Sequence, residues 1–133
     1  MSQIPTVADF MDTKFTKLSP DTELKSALTT LLKNKLLAAL VVEDDNKLVG
    51  ILSEKDCLKV LVHKAYDQRP WGLVKDYMHE VPEAIPSTMP VPVAVELITE
   101  HRSRRFPVVD DGKLVGQITR RDLLLGMHSK IFP

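Results

Sequence analysis

KLVGQITRRDLLLGM, residues 113–127, places two short β-type runs around a glycine, followed by a threonine and an aspartate at the start of an apolar helix. The same plan occurs earlier in the chain as KLVGILSEKDCLKVL, residues 47–61, with a serine in place of the threonine. Similarity of this kind within one chain predicts a duplicated structural unit, and the two stretches decide the fold.

The repeat extends beyond these two stretches. An offset of 66 residues aligns their glycines, hydroxyl residues and aspartates, and an offset of 67 aligns Met78 with Met11 upstream. The difference of one residue falls in a predicted hairpin turn, where loops tolerate changes of length. We therefore predict two domains, a first repeat at residues 1–66 and a second repeat at residues 67–133.

Composition limits the class of protein. The chain has 133 residues, 44% of them hydrophobic, so it can bury a core, although either half alone is marginally small. The net charge is zero and the pI is about 6.9, which gives no overall attraction to nucleic acid or anionic membranes. Cys57 is the only cysteine, and no signal peptide or membrane-length apolar run is recognisable. A cytoplasmic location is predicted.

Each repeat is predicted to contain a helical turn, an extended segment, a helix, a strand pair and a last helix. Ser19 before Pro20 has the pattern of a helix start, because serine caps free NH groups and proline fits the first turn. In the first repeat these elements are expected at residues 7–11, 15–18, 19–35, 38–42 with 48–52, and from Ser53. In the second they are expected at residues 73–78, 83–85, 90–98, 106–109 with 114–118, and from Thr119.

The segment from Phe106 to Leu123 (FPVVDDGKLVGQITRRDL), within a doubled order of elements, resembles a tandem pair of cystathionine-β-synthase (CBS) domains, the Bateman module. The resemblance covers nearly the whole chain. It implies an α/β (α+β) fold of two β-α-β-β-α units packed through their sheets with pseudo-twofold symmetry. The first repeat departs slightly, with ALVV at residues 39–42 where the second has FPVV.

The resemblance also implies a function. Similar proteins bind adenosine-containing ligands in the clefts between the two units, often pair into a flat disc, and regulate an attached enzyme, channel or transporter. No effector is recognisable in this chain, so a regulatory output would act on a partner in trans. The resemblance thus implies a nucleotide-binding homodimer that takes AMP, ADP or ATP, or less favourably S-adenosylmethionine or NAD(H).

Two motifs are candidate ligand sites. Ser53-x-x-Asp56 and Thr119-x-x-Asp122 match the capping box, in which the hydroxyl caps a helix and the carboxylate returns to the backbone NH of the capping residue. The same carboxylate offers acceptor oxygens to the 2′ and 3′ hydroxyls of a ribose, and a helix N-terminus favours a phosphate. The resemblance implies the same roles, with aspartate on the ribose and the hydroxyl near the phosphates.

The remaining candidates form the slot for the base and the contacts to phosphate. Five of the six arginines flank the strand pair and the Thr119 helix start of the second repeat. Planar guanidinium groups suit phosphate oxygens, although such a cluster also suits a solvated surface. We therefore expect the second site to bind a phosphorylated ligand more tightly. The predicted ligand-binding residues beyond the two motifs are Lys17, Leu18, Leu40, Ala84, Ile85, Arg104, Arg105, Phe106, Pro107 and Arg121.

Other chemistry has little support in the sequence. The four histidines lack metal-ligand spacing, so no metal site is predicted, and no set of catalytic residues converges, which argues against an enzyme. Cys57 fits a buried apolar position better than a nucleophile. The main alternative to a ligand sensor is a ligand-free dimeric interaction scaffold, in which the two motifs are only helix caps. Nucleic-acid binding through the arginines is a minor alternative.

Overall fold

A computed structural model of the chain describes residues 4–81, 83–101 and 105–133. Within these ranges the chain forms five α-helices and five strands, and the predicted mixed α/β fold is confirmed. The helices are α1 (Val7–Phe10), α2 (Leu24–Lys33), α3 (Glu54–Lys64), α4 (Val91–Glu100) and α5 (Arg120–Ile131). The strands are β1 (Lys17–Leu18), β2 (Ala38–Glu43), β3 (Lys47–Ser53), β4 (Arg105–Asp110) and β5 (Lys113–Thr119).

The chain forms two compact units that do not coincide with the sequence repeats. One unit is Thr16–Pro82, and the other combines Met1–Phe15 with Glu83–Pro133. Each unit therefore takes its opening turn from the other repeat: α1 belongs with the second strand pair, and the 3₁₀ turn Val74–Asp76 belongs with the first. The predicted division at residue 66 follows the duplication in the sequence, whereas the compact units divide the chain elsewhere.

In the unit Thr16–Pro82, β1 runs parallel to β2, and β2 is antiparallel to β3. The helices α2 and α3 contact each other, and their apolar faces form the core with the strands. This core consists of Leu18, Leu24, Ala27, Leu31, Ala39, Val41, Leu52, Cys57, Val60 and Val74. Cys57 is 2% exposed, so it occupies the buried apolar position predicted for it.

The predicted start of α2 at Ser19 is wrong, because the helix begins at Leu24. The Ser19 hydroxyl accepts a hydrogen bond from the Asp21 NH at 3.3 Å, which forms a local turn and caps no helix. The backbone that follows Ser19 bonds the 3₁₀ turn Val74–Asp76: the Thr22 carbonyl accepts a hydrogen bond from the Val74 NH at 2.9 Å. Contact with the 3₁₀ turn therefore delays the helix by about one turn.

In the other unit, β4 and β5 form an antiparallel hairpin, and Ile85 bridges Val108 in parallel, as the predicted extended segment requires. The hairpin turn has positive φ angles at Asp111 (52°) and Gly112 (78°). The core of this unit consists of Val7, Ile85, Val91, Ala94, Ile98, Phe106, Val108, Ile118 and Leu123. No helix among the described residues is long and apolar enough to cross a membrane.

The glycine in each repeat is required by close approach of a second segment. A Cβ on Gly50 would lie 2.8 Å from Met78 Sδ and 2.9 Å from the His79 carbonyl oxygen. A Cβ on Gly116 would lie 2.7 Å from Met11 Sδ. The repeated glycines and the repeated methionines are thus two halves of one contact, which holds the opening turn against the strand pair.

Gly126 of α5 is a third position where a methyl group has no room, and Gly126→Ala is expected to destabilise the protein by about 1–3 kcal/mol. Its Cβ would lie 2.4–2.6 Å from three ring atoms of Phe10. Because alanine improves helix propensity by about 1 kcal/mol, removal of the ring should reverse the sign. Urea unfolding should therefore show Gly126→Ala to be stabilising in a Phe10→Ala background, and a loss in both backgrounds would contradict the steric explanation.

Candidate functional site

The start of α3 carries the first candidate motif as a complete capping box. Ser53 caps the helix, and its Oγ accepts a hydrogen bond from the Asp56 NH at 3.2 Å. The Ser53 NH and hydroxyl both donate to Asp56 Oδ2, at 3.1 and 2.7 Å. The local structure follows from the sequence, because a hydroxyl and a carboxylate three residues apart satisfy each other's backbone NH groups at a helix start.

The start of α5 has the same geometry. Thr119 Oγ1 accepts from the Asp122 NH at 3.1 Å, and the Thr119 NH donates to Asp122 Oδ2 at 2.9 Å. In both motifs the helix cap uses only the Oδ2 oxygen of the aspartate. The cap therefore leaves Oδ1 available for another partner, so capping and ligand binding are compatible at each helix start.

The two aspartates differ in what lies at Oδ1. His79 Nε2 lies 2.5 Å from Asp56 Oδ1, and the side chains are 67% and 12% exposed, respectively. Within the part of the chain that the structure describes, Asp122 Oδ1 has no such partner. This contact was not predicted from the sequence. Its only signal was the repeat alignment, which sets His79 against Asp12.

Hydrogen bonding also changes the acidity of Asp56. Burial is the largest single influence and raises the pKa of Asp56. The hydrogen bonds from Ser53 and His79, together with the electrostatic attraction of the His79 imidazole, lower the pKa and outweigh the effect of burial. The pKa of Asp56 therefore lies below its ordinary value. The carboxylate is an acceptor at neutral pH, as recognition of a ribose diol requires.

The predicted slot residues of the first motif lie on adjacent strands of one unit. Lys17 pairs with Leu40 across β1 and β2, and Ala38 pairs with Ser53 across β2 and β3. Leu18 and Leu40 are 6% and 2% exposed, so both are interior side chains. Lys17 is exposed, and its Nζ donates to Asn46 Oδ1 at 3.2 Å.

The second motif has the corresponding neighbours. The Ile85 NH donates to the Pro107 carbonyl at 3.0 Å, and Arg105 pairs with Thr119 across β4 and β5. The other predicted neighbours differ in exposure: Ala84 and Arg121 are exposed, and Phe106 is 2% exposed. Arg104 lies outside the described residues. The structure thus groups the described candidates of each motif within one unit.

The neighbouring Arg120 has a structural role. Its guanidinium lies 3.4 Å from the carbonyl oxygens of Ile98 and His101 at the end of α4. The His101 ring meets Phe106 edge-on with 5.6 Å between centroids, and its Nε2 lies 3.3 Å from a Glu83 carboxylate oxygen. No group of three or more metal-ligating side chains occurs among the described residues.

Comparison with known proteins decides the family. The family described as the CBS domain matches residues 7–63 and 74–129, which together make up most of the chain. The chain belongs to the CBS-domain family. The resemblance inferred from the sequence is confirmed, and the two CBS matches contain the capping boxes at Ser53 and Thr119.

Three proteins are similar to this chain over most of its length. The crystal structure of Arabidopsis thaliana CBSX2 in complex with AMP is 30% identical, with a TM-score of 0.81, and the match covers 96% of this chain and 98% of that one. The chloroplastic CBS domain-containing protein CBSX1 of the same plant is 30% identical over an alignment of 151 positions that covers 92% of this chain. The A-adding tRNA nucleotidyltransferase of Aquifex aeolicus is 37% identical over an alignment of 120 positions that covers 89% of this chain.

CBSX1 and the tRNA nucleotidyltransferase are longer than this chain. The chain spans 64% of CBSX1 and 14% of the tRNA nucleotidyltransferase. The shared part is therefore the CBS pair, and the activity of the larger protein does not transfer with it.

Proposed function

We propose that this chain is a regulatory module that senses adenosine-containing ligands, with AMP, ADP and ATP favoured over S-adenosylmethionine and NAD(H). The observation that carries the proposal is the pair of capping boxes, each with an aspartate oxygen that the helix cap does not use. The complex of CBSX2 with AMP supports the choice of ligand, because the match covers 96% of this chain and 98% of the CBSX2 chain in that structure.

The proposed roles follow from hydrogen-bond chemistry. Asp56 and Asp122 accept from the ribose hydroxyls of the ligand, and Ser53 and Thr119 lie at helix N-termini, where backbone NH groups and the helix dipole favour a phosphate. Arg121 immediately precedes Asp122 and is exposed. It supplies a cation beside the phosphate of the ligand at the Asp122 site. The other predicted ligand-binding residues keep their proposed role, which is to form the slot for the base and the contacts to phosphate.

The module is proposed to act on a separate protein and to catalyse no reaction itself. The CBSX2 chain in the solved complex with AMP is matched over 98% of its length, so the proposed sensing requires no more than a CBS pair. Ligand binding then changes the affinity for the partner by a coupling free energy, which is reciprocal between ligand and partner.

The experiment that tests the sensor is calorimetric titration of nucleotide-stripped protein with AMP, ATP and S-adenosylmethionine in turn. We expect AMP or ATP to bind with a micromolar to submillimolar dissociation constant, which corresponds to a favourable binding free energy of roughly 5–8 kcal/mol. Absence of binding by all three at millimolar concentration would rule out the sensor and favour the scaffold described next.

The second candidate function is a ligand-free dimeric scaffold, and an apolar surface favours it. A groove of about 450 Å³ lies between α2 and α3, lined by six leucines among other residues. Its rim includes Leu32 (74% exposed) and Leu58 (63% exposed), and in the other unit Leu124 at the position equivalent to Leu58 is 69% exposed. Such surfaces are typical of homodimers. Sedimentation velocity beside the titration shows whether dimerisation occurs with or without nucleotide.

A further inference from the structure

We infer that His79 is a specificity-determining residue of the Asp56 site: its imidazole occupies the carboxylate oxygen that a ribose diol requires, so the Asp122 site fills first. The inference rests on the proposed function, since it assumes that the two aspartates hold ribose. It adds an order of occupancy to two motifs that are equivalent in sequence.

Hydrogen-bond occupancy carries the first step. Asp56 Oδ2 accepts from the NH and hydroxyl of Ser53, and Asp56 Oδ1 faces His79 Nε2 at 2.5 Å. Both oxygens of Asp56 are therefore engaged before any ligand arrives. A ribose diol brings two donors, so it must displace the imidazole to bind this carboxylate.

The backbone around His79 allows that displacement. The NH and carbonyl of His79 each bond the backbone of Ile51, both at 2.9 Å, which fixes the residue beside β3. Its side chain is 67% exposed. Rotation of the imidazole into solvent therefore breaks one hydrogen bond and leaves the backbone in place, so the block is reversible and its cost is that of a single contact.

Among the described residues of the other unit, no imidazole faces Asp122 Oδ1. Asp12 takes the equivalent position, because its NH and carbonyl bond the backbone of Gln117 at 2.8 and 3.0 Å, as those of His79 bond Ile51. A carboxylate at this position donates no hydrogen bond to Asp122. The chain thus contains a matched pair of positions, one with an imidazole and one with a carboxylate, beside two equivalent motifs.

The test measures AMP affinity at each site separately, by calorimetry on the full chain. In an Asp122→Ala background, where only the Asp56 site remains, His79→Ala is expected to tighten AMP binding about two- to tenfold, the equivalent of one removed hydrogen bond. In an Asp56→Ala background, Asp12→His is expected to weaken AMP binding by a similar factor, because it introduces the competing imidazole. Where an alanine background fails to fold, Asp122→Asn or Asp56→Asn replaces it.

The outcomes separate this inference from the proposed function. If wild type binds AMP through Asp122 but His79→Ala leaves the Asp56 site unchanged or weaker, His79 is no competitor and the inference alone is overturned. If no variant binds AMP or ATP, the proposed function and the inference fail together. A histidine ¹⁵N NMR spectrum gives a second readout, because AMP should shift the His79 Nε2 resonance in Asp122→Ala as the imidazole leaves the carboxylate.

Discussion

Replacement of Asp122 by alanine is expected to weaken AMP binding about ten- to a hundredfold, because a carboxylate that accepts hydrogen bonds from ribose contributes roughly 1.5–3 kcal/mol. Asp122 has the larger effect of the two aspartates, since its Oδ1 has no imidazole partner among the described residues, unlike that of Asp56. Calorimetric titration of Asp122→Ala and Asp56→Ala beside wild type measures both losses.

The control for this prediction is another capping box in the same unit. The Thr6 NH donates to Asp9 Oδ2 at 2.8 Å at the start of α1, a position to which no ligand role is assigned. Asp9→Ala removes a cap of the same type and should leave AMP affinity unchanged. Equal losses at Asp56 and Asp122 would contradict the predicted difference between the sites, and a loss at Asp9 would show that capping alone accounts for the effect.

Truncation of Leu52 is expected to lower the free energy of unfolding by about 2–5 kcal/mol, the range for a fully buried leucine replaced by alanine. Leu52 is 0% exposed, belongs to the core of the unit Thr16–Pro82, and immediately precedes the helix cap Ser53. The cavity therefore lies under the first candidate motif. Urea unfolding followed by circular dichroism measures the change.

Leu58 provides the matched comparison for this core truncation. It is the same residue type on α3 of the same unit, but its side chain is 63% exposed. Leu58→Ala should change the unfolding free energy by no more than about 0.5 kcal/mol, as is usual for surface positions. Similar losses for the two variants would mean that the exposed leucine is covered, as in the dimer that the scaffold hypothesis requires.

Most of the elements could be predicted from local patterns. The strand pairs, the hairpin turns and the starts of α3 and α5 each have a local cause, in apolar runs, turn residues or capping boxes. The start of α2 could not be predicted, because the capping potential of Ser19 is real but the following backbone bonds Gly72–Lys75, about 50 residues away. A long-range hydrogen bond of this kind leaves no local signal.

The candidate site was predictable to the same extent. The capping boxes were read directly from residue spacing, but the His79–Asp56 contact joins residues 23 positions apart and depends on the crossing of the opening turn over β3. The crossing itself was encoded by Gly50 and Met78, which the repeat alignment already paired with Gly116 and Met11. The alignment could not show that the side chain of His79, which follows Met78, reaches Asp56.

The exchange of opening turns between the compact units has a consequence for a single copy of the repeat. Because each unit is completed by a turn from the other repeat, an isolated copy encoded by itself would have to trade that turn with a second molecule, as in domain swapping. Its folding would then depend on its concentration. Joining two copies in one polypeptide converts that bimolecular step into an intramolecular one, with a local concentration set by the connecting residues 65–73.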